Sequence, residues 1–368
     1  MAGLEDLSSL REAVPSIVPD SNFSVQQFIQ GQWISSLKNK APTDKLVLDA
    51  NSTYVKECKS FLERWKRPRQ YLDNQISKVE GMLYLPPLIL QNPTKAEELP
   101  YHKMEAKTAT FVWLNDWLSS LGLRLKNIIT IDLLPFITEE WINSLCEEDQ
   151  SRALQESLGL TILFFNTYEL PTVLSCQCLG QRCPQWLKPI AGHSLVKSLS
   201  SSVPGAQSRR VKHRTLLGRG VYVIQGFHPI YILKATVHSY YSDRERLLSS
   251  LLTEVYMPCQ DWKESKLKEE FEDTIRQIQQ ASDKMRSGIS RLQILENQLL
   301  DHRGTSSEQV VTFCHEADAA VDEKLKFSIH TWCEALRFFL SNLPSWPMKV
   351  DLAKSSKCAE IFPTKGSL

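Results

Sequence analysis

Val221-Tyr-Val-Ile-Gln-Gly-Phe-His-Pro-Ile-Tyr-Ile-Leu233 is the stretch whose reading decides the fold. Four β-prone residues run toward Gly226, then His228-Pro229, then the start of a helix. A strand ending in such a turn delivers an imidazole to the carboxyl edge of a sheet, where open α/β folds bind ligands. A second apolar strand, Leu88-Ile-Leu-Gln-Asn-Pro93, ends much earlier in the chain in a polar-Pro turn. The two turns are expected to face one pocket.

Outward from these strands, the chain reads as alternating elements. A helix is expected from Asn51, capped by Ser52, with Val55, Cys58, Phe61, Leu62 and Trp65 at helical spacing and Pro68 as its stop. Thr108–Leu121 reads as a helix with Phe111, Leu114, Trp117 and Leu118 on one face and Gly122 near its C-cap. Asn127–Leu134 reads as a buried strand, 148–158 as a short helix closed by Gly159, Leu160–Phe165 as a strand, and Glu169–Leu179 as a short helix. A polar, Ser- and Gly-bearing insertion is expected over 180–218, before the strand Val221–Gln225. Strands alternating with helices predict an α/β fold, a central mostly parallel sheet flanked by helices.

The two ends read differently. Residues 1–45 hold turn formers and little periodicity, and are expected to form a partly ordered arm; 46–258 form the α/β domain. After Cys259, Leu267, Phe271, Ile275, Ile278, Met285, Ile289, Leu292, Leu295 and Leu299 step by three, four or seven from Trp262 to Asp301. Gly304–Ser307 then breaks the pattern and a second helix is expected over Ala317–Leu340. Together they predict an antiparallel helical hairpin over 259–343, which packs on the core or joins a protein partner or second copy, and 344–368 reads as a tail.

Composition bounds the function. With 368 residues, 42% hydrophobic and 23% charged, the chain is an ordinary globular protein with room for one good-sized domain and a smaller element. A net charge of +1 excludes a chain built as a whole to coat nucleic acid, so any polyanion site must be a local patch. The acidic, polar Met1–Asn22 lacks a signal-type core, and no apolar run reaches the ~18–20 residues of a membrane span. A nuclear or cytoplasmic, intracellular protein without a membrane partner is expected. The nine Cys read as free thiols. Cys176, Cys178 and Cys183, with His193, form a cluster without a C-x-x-C knuckle, so no metal and no cofactor are expected.

The order of these motifs resembles the uracil-DNA glycosylase superfamily over roughly residues 80–255. Gln91-Asn92-Pro93 after the first strand and His228-Pro229-Ile230 after the late one are similar to that family's two active-site turns. Leu99-Pro100-Tyr101 looks like its Pro-Phe segment. The resemblance implies metal-independent hydrolysis of the N-glycosidic bond of a deaminated or damaged base, extruded from DNA. It implies that Asn92 orients the attacking water, His228 donates to the developing charge on the base oxygen, Tyr101 stacks on the base, and Gln91 and Asp132 border it.

Several residues depart from the family pattern. Leu90 precedes the first turn in place of a Gly, Thr94 follows Pro93 in place of Gly or Tyr, and Ile230 follows the His-Pro pair in place of Ser or Ala. Asp132 stands where a base-reading Asn is usual, and a carboxylate lacks the NH2 donor that would meet a uracil carbonyl. An amide at position 92 positions water but cannot take its proton, which implies a slow enzyme. Arg209, Arg210, Lys212 and Arg214, with Lys234 beyond His228, are the expected contacts to a DNA backbone; the alternatives for the loop residues are a solvated surface run, part of a mobile loop, or a nuclear-import signal. Arg64-Trp-Lys-Arg-Pro-Arg69, which interleaves an aromatic with cations, is a second stretch that could supply phosphate contacts, but the favoured reading is a solvated surface run. The competing function, from another class, is a catalytically inactive α/β scaffold whose helical hairpin recruits a protein. No Gly-x-Ser-x-Gly elbow or Gly-rich phosphate loop supports a different hydrolase.

Overall fold

A computed structural model describes residues 23–178, 185–233 and 238–301. Its strands are β1 (Lys45–Leu46), β2 (Gly81–Met82), β3 (Leu88–Leu90), β4 (Thr130–Asp132), β5 (Thr172–Ser175), β6 (Val211–Leu216) and β7 (Arg219–Gln225). β1 and β2 pair with each other, and the other five form one sheet in the order β4-β3-β5-β7-β6. β4, β3, β5 and β7 run parallel; only the edge strand β6 is antiparallel, returning on β7. The expected α/β fold with a mostly parallel sheet is therefore present.

The helices are α1 (Val25–Phe28), continued through a π-helical turn into α2 (Ile34–Ser36), α3 (Thr53–Arg64), α4 (Gln70–Val79), α5 (Tyr101–Lys107), α6 (Ala109–Ser119), α7 (Glu139–Asn143), α8 (Glu147–Thr167), α9 (Lys188–Ala191), α10 (Ser194–Ser198), α11 (Val203–Ser208), α12 (Ile230–Leu233) and α13 (His238–Asp301). Alternation along the strands sorts them into two layers. Ile89, Ile131, Val173 and Val223 point into a core shared with α3, α4 and α8, whereas Leu88, Leu90, Leu174 and Ile224 point into one shared with α1, α6 and the start of α13. Both faces of the sheet are covered, and β3 within it is apolar throughout.

Local signals account for the elements that matched expectation. Ser52 accepts from the Val55 amide and starts α3. At the end of α6, Gly122 adopts a φ of 68° while the Leu123 amide donates to Leu118 O, closing the helix with a left-handed cap.

Other expectations are corrected. Leu160–Phe165 is not a strand and Gly159 is not a stop: α8 runs through both, because Leu154, Leu158, Thr161 and Phe165 hold one buried stripe. The helix expected over Glu169–Leu179 is not found among its described residues, where Thr172–Ser175 is wholly buried β5. The region expected as an irregular insertion carries α9, α10, α11 and β6, so Lys212 and Arg214 belong to a β-hairpin rather than a mobile loop. Its turn, Leu217-Gly218, has φ of 51° and 81°, the twist a two-residue hairpin needs. α3 ends at Arg64, before Pro68, and Lys66 just beyond it takes a φ of 50° that lets the Arg67 amide reach Leu62 O. From Val25 onward the expected arm is part of the core, with Phe28, Ile29 and Trp33 buried. Ser24 and Arg210 form a bridge just before β6, and the Val211 amide donates to Phe23 O, so this segment pairs with the start of that edge strand.

The chain divides into two compact units, residues 1–266 and 267–368. α13 begins at His238, well before Trp262, and contains Pro258. Its Leu248, Leu251, Leu252, Val255, Tyr256 and Cys259 are buried within the first unit. The loop at Gly304–Ser307, the second helix expected over Ala317–Leu340 and the tail 344–368 lie outside the described residues. Among those residues, no helix is long and apolar enough to cross a membrane.

Candidate functional site

The chain leaves β3 for β4 on one side and later returns to place β5 on the other. In an open parallel sheet the carboxyl ends of the strands at such a reversal are the usual location of a ligand. Gln91 and Asn92 leave β3 at this edge, Cys176, Gln177 and Cys178 leave β5, Asp132 ends β4, and His228 follows β7.

Asn92 is half-buried and its orientation is fixed. Its Nδ2 donates to Pro93 O at 3.1 Å and to Ile137 O at 3.2 Å. Both partners are carbonyls, so the nitrogen must face them, and Oδ1 remains as an acceptor with no protein donor among the described residues. Gln91, also half-buried, is held through its backbone, whose carbonyl accepts from the Leu134 amide at 3.0 Å.

β7, which leads to His228, lies two strands from β3, about 10 Å at the usual strand spacing. Gly226 makes its approach possible. The Gly226 amide donates to Ser175 O at 2.8 Å, and a Cβ there would stand 2.7 Å from Cys176 Sγ. The His228 amide then donates to Cys178 Sγ at 3.4 Å, tying the turn to the end of β5. His228 Nδ1 accepts from the Ile230 amide at 3.1 Å, which opens α12. An imidazole that accepts at Nδ1 carries its proton on Nε2 when neutral, so the ring is set as a donor through Nε2.

Tyr101 opens α5 and is half-buried, with its hydroxyl screened from solvent and without a partner among the described residues. Burial, with the Glu105 charge next, pushes that hydroxyl's pKa above the usual tyrosine range. Asp132 is less available than its position suggested. Its carboxylate pairs with the Lys78 ammonium, which also donates to Glu97 Oε1 at 2.7 Å, and the three side chains are 2%, 1% and 4% exposed. Burial works against the Lys78 charge, but Asp132 and Glu97 outweigh it and raise its pKa. Burial, assisted by Asp132 and only partly countered by Lys78, pushes Glu97 up to about 7. A base-reading role for Asp132 would have to work from inside this ion-pair cluster. Sequence reading missed Lys78 and Glu97. A signal existed: Lys78 falls on the same helical stripe as Tyr71 and Gln75, a buried face where an unpaired lysine is not tolerated.

The basic residues do not form one patch. Arg209 is held by Leu247 O at 3.2 Å and lies 3.7 Å from Glu254, whereas exposed Arg210 sits at the carboxyl edge beside the end of β7. Lys212 and Arg214 pair with Val223 and Val221, progressively farther from that edge. Lys234 and Cys183 lie outside the described residues. Cys176, Cys178 and Cys259 are buried free thiols, and burial raises the pKa of each. His193 caps α10 through Nδ1, and no group of three or more potential metal ligands occurs among the described residues.

Two hollows lie elsewhere. One, about 430 Å³, is at the amino ends of the strands beside Pro87, Ile129, Pro171 and Val221. The other, about 500 Å³, lies where α3 meets α4. Asn92, Tyr101 and His228 line neither. The structure thus brings Asn92, Asp132 and His228 to one edge of the sheet, with Tyr101 beside the Lys78–Glu97 cluster. Comparison with protein-family models, curated sequences and solved structures found no match.

Proposed function

We propose that the carboxyl edge of the sheet is a base-excision site that hydrolyses the N-glycosidic bond of a deaminated or damaged base in DNA. One observation carries this reading: an amide acceptor and an imidazole donor, both fixed by backbone contacts, flank the end of β5 at a chain reversal. In this reaction the bond between the sugar carbon and the base breaks and the base leaves with the electron pair. Water oxygen bonds to the sugar carbon, and its proton passes through solvent to the departing base anion.

Asn92 Oδ1 orients the water by accepting its hydrogen bond, while Nδ2 remains on Pro93 O and Ile137 O. His228 Nε2–H stabilises the charge growing on the base oxygen, a contact whose loss typically costs ~10²–10³ in rate. Tyr101 supplies an aromatic face. Gln91 borders the base, and Arg210 at the same edge supports a DNA phosphate. With an amide in place of a general base, turnover is slow, since proton removal normally contributes ~10²–10⁴.

The alternative is an inactive scaffold that recruits a protein. The commitment of Asp132 to Lys78 favours it, because that carboxylate is taken up in an internal ion pair. A gel assay separates the two. Oligonucleotides carrying uracil or hypoxanthine, single- and double-stranded, are incubated with the protein and with His228→Ala. Abasic-site formation by the first alone supports excision; equal inactivity of both on every substrate supports the scaffold.

A further inference from the structure

The stretch Arg64–Arg69, read from sequence as a solvated run, folds into something more specific. Lys59 on α3, Lys66 and Arg67 in the connection and Arg69 at the start of α4 line the hollow of about 500 Å³, with Glu63 as the carboxylate in the lining. None of these four cations forms an ion pair among the described residues, whereas neighbouring Arg64 is paired with Glu156 at 2.9 Å. The lining therefore carries a net positive charge, four cations against the Glu63 carboxylate, with the Glu98 charge also acting on Arg67.

Arg67 is the decisive residue. Its guanidinium lies 4.4 Å from the Tyr71 ring centre and 4.6 Å from that of Trp141, which fixes it in place. Its Nε and Nη2 are shut off from solvent and meet no acceptor. Arg67 nonetheless lines the hollow, and Nη1 is the guanidinium nitrogen not enclosed in this way. Arg69, the N-cap of the ten-residue α4, and Leu72 in its first turn also line it, and no side chain caps that helix end.

We infer that the hollow between α3 and α4 binds a phosphate group, held by Arg67 and flanked by Lys59, Lys66 and Arg69. Several cations around a fixed planar guanidinium match a multiply charged tetrahedral anion better than a single carboxylate. The inference does not depend on what the carboxyl edge of the sheet catalyses. The phosphate comes either from a free phosphorylated molecule or from a nucleic-acid backbone.

Calorimetry on the full chain at low salt tests it with two probes: pyrophosphate, and a single-stranded oligothymidylate, which offers no deaminated base to an excision site. The variants are Arg67→Met, which keeps apolar bulk between the rings, and Lys66→Asn with Arg69→Gln, in which Asn tolerates the left-handed backbone at position 66. Wild type should bind at least one probe. Arg67→Met should abolish that binding, and the surface double variant should weaken it roughly tenfold or more, about 1.4 kcal/mol. If Arg67→Met fails to fold, the double variant decides. Binding of pyrophosphate identifies a free phosphorylated ligand; binding of the oligonucleotide alone identifies the backbone. Failure of both probes, or affinities unchanged in the folded variants, overturns the inference.

Discussion

Lys78 holds its charge in the interior only because Asp132 and Glu97 surround it. Lys78→Met leaves two buried carboxylates without their cation and should destabilise the fold by about 3–5 kcal/mol at neutral pH, read from urea unfolding. Glu97 gives a second expectation. Its folded pKa of about 7 lies above the ordinary 4.5, so between those values the folded chain holds a proton that the unfolded chain has lost. Stability should fall as pH rises through that window, on the order of 2–3 kcal/mol, and level off above it. Glu97→Gln should flatten the dependence; urea midpoints at pH 5 and pH 7.5 compare the two. At Gly226 the constraint is steric. A methyl group would meet Cys176 Sγ at 2.7 Å and Ser175 O at 3.2 Å, so Gly226→Ala should cost about 1–3 kcal/mol in the same assay. Adding Cys176→Ala should recover only part, because the carbonyl remains.

α8 shows what a local rule misses. Gly159 reads as a stop, yet its position in the helix is exposed and a Cβ there would touch nothing. Gly159→Ala should therefore stabilise the protein by about 0.5–1 kcal/mol, seen as a raised thermal midpoint. The elements legible in sequence were those with a strong period or an unambiguous end, such as α3 with its Ser52 cap, α6 with Gly122, and β3, β4 and β7. β5 was hidden because its four residues sit inside a stretch that also tolerates a helical reading, and burial decides between them. α4 escaped because polar Asn74, Gln75 and Lys78 occupy its buried face, where their partners come from distant segments. Sequence spacing cannot display a partner nineteen or more positions away.

At the scale of the molecule, the strand order turns separate turns into one edge. Asn92 and His228 were legible because each follows a readable strand, and parallel pairing through β5 brings them to the same side of the sheet. Their settings were not legible: the Nδ2 clamp on Ile137 O and the Nδ1 acceptance from Ile230 come from backbone geometry. The same holds for Asp132, whose position was readable but whose pairing with Lys78 was not. The proposed excision chemistry rests on Asn92 as a water-orienting amide and His228 as an Nε2 donor. Single-turnover cleavage of a base-damaged oligonucleotide tests that pair most directly, comparing wild type, Asn92→Asp and His228→Ala. The account predicts slow cleavage by wild type, faster cleavage by Asn92→Asp, and a loss of about 10²-fold or more in His228→Ala. Cleavage by none of the three folded proteins, or equal rates in all three, would contradict it.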